Sequence, residues 1–315
     1  MDAGSTLADP ASLRGEAGFM PFRLAAVIAL AATTAVAEWR AVEVDASAYP
    51  AVIAVETRAP ASRVSENPPP GGLIATSAGD IRRAWYEEPT RRYAHAILGD
   101  AIEAGTLAVH DQDGKRIALS LPQDQVFEDR YPRIADLDGD GRNEVIAIRS
   151  SAYGGGGVAI YGLREGRLEE LAAVPDIGTP NRWLNIAAIE DLNGDGLLEI
   201  AFVRTPHIGG TLRVFAYQNG SVRLLDELYG FSNHAIGATE MRLSAIMDAD
   251  GNGRMDVAVP DASRRALRIM ALDGTTLRQI AEVALPGRID KAILIDDGGF
   301  IVGLTDGTAW RIEKD

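Results

Sequence analysis

A nine-residue, aspartate-rich segment occurs three times in this chain and constrains its fold more than any other feature. The copies are DLDGDGRNE at 136–144, DLNGDGLLE at 191–199 and DADGNGRMD at 248–256, so their starts lie 55 and 57 residues apart. A second signal, an acidic or amide residue followed by glycine between two apolar runs, recurs at 113–114, 165–166, 219–220 and 273–274. Such pairs favour the tight turns of β-hairpins. Two signals with nearly the same period indicate a repeat protein with a unit of about 54 residues.

Each repeat unit is interpreted as four β-strands. In the unit with the second aspartate segment, short runs rich in Val, Ile, Leu and Phe occupy 185–190, 199–204, 211–217 and 222–228. No helical periodicity interrupts them. One four-stranded sheet of this size cannot bury both faces, whereas radial stacking of such sheets can. The sequence therefore predicts an all-β fold, a β-propeller of four-stranded blades.

The number of blades is less constrained than the fold. Three units carry the aspartate segment, a fourth precedes them, and a last unit at 289–313 lacks one strand. The segment after residue 38 could supply that strand and close the ring. We expect five blades, with six or seven as alternatives.

The aspartate segments have the composition of calcium loops. Ca²⁺ prefers six to eight oxygen ligands, and glycines at positions 4 and 6 permit a tight backbone path around the ion. Positions 1, 3, 5 and 9 would contribute side-chain oxygens, and position 7 a backbone carbonyl. The predicted ligands are Asp136, Asp138, Asp140, Arg142 and Glu144; Asp191, Asn193, Asp195, Leu197 and Glu199; and Asp248, Asp250, Asn252, Arg254 and Asp256.

The loops differ from the helix–loop–helix calcium motif, which ends with Glu at position 12. Position 12 is here Ala147, Phe202 or Val259, each within a strand-like run, and position 9 is always acidic. With the apolar strand that follows each loop, they resemble the FG-GAP or VCBS repeats of integrin-α-type propellers over residues 100–290. The resemblance implies calcium loops between the first and second strands of a blade.

Charge also favours bound cations over bare Asp/Gly-rich turns, the alternative interpretation. The three loops hold four, three and three carboxylates, which repel one another unless an ion intervenes. We therefore expect three Ca²⁺ ions with a structural role. The whole chain carries a net charge of -14, which disfavours nucleic acid as a partner. It has no cysteine, which excludes disulfides and thiolate chemistry.

The face opposite the calcium loops is the expected ligand face. Loops between strands 2 and 3, and between consecutive blades, gather aromatic, Arg and His side chains that suit a polar ligand. Solvated loop tips are the alternative interpretation. The candidate ligand-binding residues are Tyr131, Arg182, Trp183, His207 and His234.

Catalysis has little support, because neither a Gly-x-Ser-x-Gly elbow nor a phosphate-binding glycine loop is present. We expect a non-catalytic binding or scaffold module for a protein or glycan ligand. The alternative is a calcium-dependent extracytoplasmic hydrolase or lyase that uses the same opposite face through His207, His234 and Arg182.

The amino-terminal region has the pattern of an export signal. After an over-extended start at 1–19, Arg23 precedes an apolar run, and Ala35-Val36-Ala37 fits a cleavage site before Glu38. The expected location is periplasmic or secreted, with no membrane span after cleavage. Residues 38–72 would form a strand segment and a Pro/Gly-rich linker, and 73–315 the propeller.

Overall fold

The structure, a computed structural model, describes residues 38–54, 56 and 58–315. The predicted start and signal at 1–37 lie outside the described residues. In the part of the chain that the structure describes, no helix is long and apolar enough to cross a membrane.

Almost all regular structure is β-strand, as the short apolar runs predicted. A single α-helix of the described residues, α1, spans Pro50–Ile53, and 3-10 turns occupy Ala46–Ala48 and Ala61–Arg63. In chain order the strands are β1 (Trp39–Val44), β2 (Ala75–Thr76), β3 (Ile81–Thr90), β4 (Glu103–Asp111), β5 (Arg116–Ser120), β6 (Gln125–Phe127), β7 (Arg133–Ala135), β8 (Glu144–Ser151), β9 (Gly155–Arg164), β10 (Arg167–Ala173), β11 (Leu184–Glu190), β12 (Glu199–Arg204), β13 (Gly210–Gln218), β14 (Ser221–Phe231), β15 (Ala245–Met247), β16 (Asp256–Pro260), β17 (Ala266–Asp273), β18 (Thr276–Ala284), β19 (Ile289–Asp296), β20 (Gly299–Leu304) and β21 (Ala309–Lys314).

The strands form antiparallel sheets in which chain neighbours are hydrogen-bonded neighbours. Strands β11–β14 make one four-stranded sheet and β15–β18 another. Strands β2–β5 and β7–β10 are each ordered in the same way, but the short strand β6 joins them into one nine-stranded sheet. It does so because Phe127 pairs with Ala104 of β4 and Gln125 pairs with Ser151 of β8.

The amino-terminal strand completes the last sheet, as the incomplete final unit predicted. Strand β1 runs antiparallel to β21, with Trp39 opposite Lys314 and Val44 opposite Ala309. The order of this sheet is β1-β21-β20-β19. The two ends of the described chain are therefore held together by one ladder of backbone hydrogen bonds.

The inner sheets are buried on both faces because their side chains alternate between two neighbouring sheets. On β8, Val145 and Ala147 pack with the β2–β5 unit, whereas Ile146 and Ile148 pack with β11–β13. Further along the chain, Val203 of β12 packs with residues of β16 and β17. This face-to-face stacking in chain order gives a β-propeller-like fold.

Residues 46–54 and 58–74 lie against both the last and the first units. Val52 of α1 is fully buried against Ile301 and Ala309 of the last sheet. Ala61 packs with Trp85 of β3 and Ala108 of β4. The end of the Pro/Gly-rich segment is also hydrogen-bonded to this region, because the amide of Ala61 donates to the carbonyl of Gly72 at 2.9 Å.

Candidate functional site

The three aspartate segments occupy equivalent places in the sheets. They connect β7 to β8, β11 to β12, and β15 to β16, and their position 9 residues Glu144, Glu199 and Asp256 begin the second strand. The segments thus lie between the first and second strands of each unit. The acidic-Gly tips lie between the third and fourth strands, for example at Asn219, whose φ of 51° suits a tight hairpin turn.

All three loops share one framework of hydrogen bonds. The carboxylate at position 1 accepts from the glycine amide at position 6 at 2.9 Å in each loop, in the pairs Asp136–Gly141, Asp191–Gly196 and Asp248–Gly253. The carboxylate at position 9 accepts from the amide at position 2 at 2.8 to 3.0 Å, in the pairs Glu144–Leu137, Glu199–Leu192 and Asp256–Ala249. These bonds fix one oxygen of each carboxylate in the same orientation in all three loops.

The first loop presents unpaired oxygens in the pattern that a hard cation requires. Oxygens of Asp136, Asp138 and Glu144 lie within 4.8 Å of one another. Asp136 Oδ1, Asp138 Oδ1 and Glu144 Oε1 are buried and have no hydrogen-bond partner among the described residues. Buried oxygens without a donor are costly. Since carboxylates are the ligands that Ca²⁺ prefers, these residues fit a bound Ca²⁺.

The third loop forms an equivalent cluster. Oxygens of Asp248, Asp250 and Asp256 also lie within 4.8 Å of one another. Asn252 Oδ1 accepts from the amide of Arg254 at 2.8 Å, as Asp140 Oδ1 accepts from the amide of Arg142 in the first loop. Two acidic clusters of the described residues, in the first and third loops, could therefore hold a metal ion.

The second loop differs because Asn193 replaces aspartate at position 3. Its amide nitrogen lies 2.6 Å from Glu199 Oε1 and 3.0 Å from Asp195 Oδ2. This N–H₂ group occupies the space between two carboxylates, where the cation would lie. A rotation of the amide that presents Oδ1 would give the second loop a set of oxygens comparable to the other two.

The acid at position 9 is the most perturbed group in each loop. Burial, together with the neighbouring loop carboxylates, raises the pKa of Glu144 and of Glu199 to about 7. The same causes raise the pKa of Asp256 to about 6. A cation among these oxygens would favour the charged form and reverse these shifts.

The position 5 and position 7 residues contact each other within each loop. The amides of Arg142 and Leu197 donate to Asp140 Oδ1 and Asp195 Oδ1 at 2.8 and 2.9 Å. The coordinating role of the carbonyls of Arg142, Leu197 and Arg254 stays a prediction. Adjacent loops also touch, because the amide of Leu198 donates to the carbonyl of Leu137 at 3.0 Å.

The opposite face brings three of the five ligand candidates together. His207 Nε2 lies 2.9 Å from His234 Nδ1. The indole of Trp183 stacks on His207 with ring centroids 6.1 Å apart and contacts His234 at 4.7 Å. Trp183 and His234 are buried, with 2% and 1% of their surface exposed, whereas His207 is half-buried and lines an open pocket. His207 is therefore the most accessible of the three.

Tyr131 and Arg182 lie elsewhere. The ring of Tyr131 is buried between the guanidinium groups of Arg58 and Arg133, at 4.4 and 4.5 Å from its centroid. These residues line a cavity of about 390 Å³ next to the first strands of several units. Arg182 is exposed, and its guanidinium donates to the carbonyl of Asn181 at 3.1 Å.

Sequence reasoning did not find a buried acidic group below the opposite face. Glu103, Glu128 and Asp129 are all buried, and Glu103 and Asp129 line a cavity of about 170 Å³. Burial and the nearby Glu128 raise the pKa of Glu103 to about 10. Glu128 contacts His95 Nδ1 at 2.5 Å, and Asp129 is paired with Arg133. No local motif marks these residues, because Glu103 is brought next to the adjacent acids Glu128 and Asp129 only by the pairing of β4 with β6.

The comparisons with known proteins agree with the loop pattern. Residues 136–202, which include the first two loops, match the family model described as FG-GAP-like repeat. No match was found among curated protein sequences.

Several solved structures are similar to the chain at low identity. The exotype rhamnogalacturonan lyase YesX is 13% identical with a TM-score of 0.45, over 79% of this chain and 59% of that structure. Bacillus licheniformis rhamnogalacturonan lyase PL11 is 13% identical with a TM-score of 0.43, over 78% and 58%. Saccharomyces cerevisiae Sqt1 is 12% identical with a TM-score of 0.44, over 75% and 56%. The chain spans under two thirds of the length of each.

The family match covers two of the three aspartate loops on which the resemblance was based. It begins at Asp136, the first predicted ligand, and ends at Phe202 in the strand after the second loop. The chain therefore carries an FG-GAP-like repeat at residues 136–202, and its identification as an FG-GAP repeat protein is confirmed.

Proposed function

We propose that this chain is an exported, calcium-binding β-propeller of five four-stranded blades that acts as a non-catalytic binding or scaffold module. In this proposal the blades are β2–β5, β7–β10, β11–β14, β15–β18, and β19–β21 completed by β1. Three Ca²⁺ ions occupy the aspartate loops, and a protein or glycan ligand binds the opposite face. We expect no nucleic-acid partner, because the chain carries a net charge of -14.

The observation that carries the calcium assignment is the set of unpaired oxygens in the first loop. Asp136 Oδ1, Asp138 Oδ1 and Glu144 Oε1 are buried together without a donor among the described residues. A loop built only as a turn would gain stability by pairing or exposing these atoms. The repetition of the same framework in the other loops supports a common role for all three.

Calcium-dependent stability is the direct test of this proposal. An ion that binds only the folded state at 100 times its dissociation constant stabilises it by about 2.7 kcal/mol per site. We expect the Tm to fall clearly in chelator and to recover with added Ca²⁺, and isothermal titration to count three ions. A Tm that responds to neither chelator nor Ca²⁺ would contradict the proposal.

Asp138→Asn is the most informative variant for the first loop. No hydrogen bond of the shared framework uses the side chain of Asp138, so the substitution removes one ligand charge while the framework stays intact. We expect a smaller calcium-dependent rise in Tm and a higher Tm in chelator, because the new amide can donate to Glu144 Oε1 as Asn193 donates to Glu199 Oε1 in the second loop. Asp113→Asn, at an exposed hairpin tip, is the matched control and should leave the calcium response unchanged.

Export is a separate part of the proposal and has its own test. Amino-terminal sequencing of protein from the native host should find a start at or near Glu38 in the periplasm or medium. An intact Met1 in the cytoplasmic fraction would contradict export without affecting the calcium assignment.

A calcium-dependent hydrolase or lyase is the second candidate, and the histidine pair favours it. Burial lowers the pKa of His207 to about 4, so this imidazole is neutral at pH 7 and its free nitrogen could accept a proton. The Arg182 of the initial hypothesis does not line the same pocket, whereas Arg264 and Arg288 do. Turnover of a polysaccharide or ester that is abolished by His207→Phe would favour the enzyme over the binding module.

A further inference from the structure

A pocket of about 280 Å³ opens on the face opposite the aspartate loops. Four connections build it: β12–β13 contributes His207, β14–β15 contributes His234, β16–β17 contributes Arg264, and β18–β19 contributes Arg288. In an antiparallel sheet alternate connections lie at the same edge, so all four are on the edge away from the aspartate loops. The pocket therefore lies between neighbouring units, at the edge opposite the aspartate loops.

The two arginines of this pocket have no carboxylate partner. Within the described ranges, neither Arg264 nor Arg288 has a carboxylate oxygen within 4.0 Å, although the chain is strongly acidic. The three arginines that line the cavity of about 390 Å³ next to Tyr131 are instead paired with carboxylates, as Arg58–Glu56, Arg133–Asp129 and Arg242–Glu240. Of the two cavities, only the pocket with Arg264 and Arg288 therefore contains arginines without a carboxylate partner among the described residues.

Two features make the position of Arg264 in the pocket energetically unfavourable. Its Nη1 is buried without a hydrogen-bond partner in the described part of the chain, and its backbone has a φ of 57°, which is unfavourable for arginine. Burial and the charge of Arg288 lower the pKa of Arg264, and the charge of Asp290 offsets this only in part. An anion between the two guanidinium groups would satisfy the free donor and relieve the repulsion.

The histidine pair adds one acceptor to these donors. His234 Nε2 lies 3.0 Å from the carbonyl of Ala238, so it must carry the proton and donate. His234 Nδ1 is then an acceptor, and His207 Nε2 donates to it across 2.9 Å. This order of tautomers leaves His207 Nδ1 with a lone pair and without a partner among the described residues.

We propose that this pocket binds a small hydroxy acid, whose acid group lies between Arg264 and Arg288 and whose hydroxyl donates to His207 Nδ1. The inference rests on the proposal that the chain is a binding module and names the ligand class of its opposite face. An apolar rim supports a ligand with a carbon skeleton rather than a bare ion, because Ile236 in the pocket wall and Ile208 beside His207 are 71% and 58% exposed.

Titration calorimetry with three probes tests the proposal on the calcium-loaded full chain. Glucuronate carries both a carboxylate and hydroxyl groups, glucose lacks the acid, and sulfate lacks the hydroxyl. We expect glucuronate to bind at least about tenfold more tightly than glucose, which lacks the charge-assisted hydrogen bonds to the arginines, and also more tightly than sulfate, which lacks the hydroxyl that donates to His207 Nδ1. Absence of glucuronate binding, or equal affinity for glucose or sulfate, would overturn the proposal.

Variants of the two arginines assign the binding to this pocket. Arg264→Asn removes the guanidinium with a residue that tolerates positive φ, and Arg288→Gln changes an exposed side chain that should not affect folding. Each should weaken glucuronate binding at least about tenfold. Arg167→Gln removes the same charge from an exposed side chain of β10 that does not line the pocket, and it should leave glucuronate binding unchanged.

The calcium response of the same samples separates this proposal from the proposed function. If the variants lose glucuronate binding but keep the calcium-dependent Tm, both proposals are supported. If the wild-type chain keeps its calcium response but does not bind glucuronate, the hydroxy-acid pocket alone is refuted. Loss of glucuronate binding in His207→Phe, with sulfate binding unchanged, would support the role of Nδ1, and unchanged glucuronate binding would refute it.

Discussion

The side-chain amide nitrogen of Asn193 lies 2.6 Å from Oε1 of Glu199, in the middle of the second aspartate loop. This contact replaces the unpaired oxygens that face the interior of the first loop. The second loop can therefore satisfy its acidic oxygens without a cation, whereas the first cannot. The three loops should consequently differ in how strongly their folding depends on calcium.

Asn193→Asp should make the second loop more dependent on calcium. The variant loses an amide donor and adds a fourth carboxylate, so we expect about 1–2 kcal/mol lower stability in chelator. In excess Ca²⁺ the added ligand should enlarge the calcium-dependent rise in Tm. Asn219→Asp, at an exposed hairpin tip, adds the same charge away from the loop and should change neither value. An unchanged Tm of the variant in chelator would show that the amide of Asn193 does not replace a cation in the second loop.

Trp183→Ala should primarily affect stability. Trp183 is 2% exposed, packs in the core between two units, and donates from Nε1 to the carbonyl of Glu128 at 2.9 Å. Its truncation should cost about 3–5 kcal/mol, measured by urea unfolding. Arg182→Ala, one residue earlier and exposed, should stay within about 0.5 kcal/mol of wild type. Equal stability of the two variants would show that the indole does not contribute to the core.

The sequence predicted the features that depend on local pattern. Strands of the unit with the second aspartate segment were expected at 185–190, 199–204, 211–217 and 222–228, and they lie within three residues of those bounds. Short apolar runs and Asp-Gly turns determine such elements locally. Placing His207 and His234 on one face followed from the alternation of connections alone, and the structure brings them to 2.9 Å.

Features that depend on contacts between distant residues could not be predicted in the same way. From its sequence context Trp183 is a loop residue, but the fold packs it into the core between two units, where its indole donates to the carbonyl of Glu128, 55 residues away. The buried acids Glu103 and Glu128 share no motif and meet only when β4 and β6 pair. Strand β6 itself is three residues long, too short for a periodic pattern to indicate it.

Trp39→Ala should weaken the closure of the last sheet. Trp39 is the first residue of β1, packs against Phe300 with ring centroids 6.0 Å apart, and pairs with Lys314 of β21. Because the indole is only partly buried, we expect a loss of about 2–3 kcal/mol in urea unfolding, less than for a core tryptophan. Arg40→Ala, on the exposed side of the same strand, removes only surface ion pairs and should cost under about 1 kcal/mol. Similar losses for both variants would contradict a specific role for the indole.

Glu103→Gln should flatten the pH dependence of stability at neutral and alkaline pH. Burial and the carboxylates of Glu128, Asp100 and Asp129 raise the pKa of Glu103 from 4.5 to about 10. Between these values the folded chain holds a proton that the unfolded chain has released, so stability falls as the pH rises through this window. The glutamine cannot titrate, and the variant should gain on wild type by up to about 1.4 kcal/mol per pH unit. Parallel profiles from pH 6 to 9, measured by urea unfolding, would contradict a buried neutral Glu103.

His234→Gln should reduce the loss of stability in acid. Burial, the neighbouring His207 and the charge of Arg264 lower the pKa of His234 from 6.5 to about 3. The unfolded chain therefore binds a proton between these values that the folded chain does not, and stability is fully present above pH 6.5 and falls as the pH decreases. Glutamine offers an N–H for the carbonyl of Ala238 but no titrating group. The variant should lose up to about 1.4 kcal/mol less per pH unit between pH 6 and 4, and urea unfolding at these pH values that gives equal slopes for both chains would contradict a buried neutral imidazole.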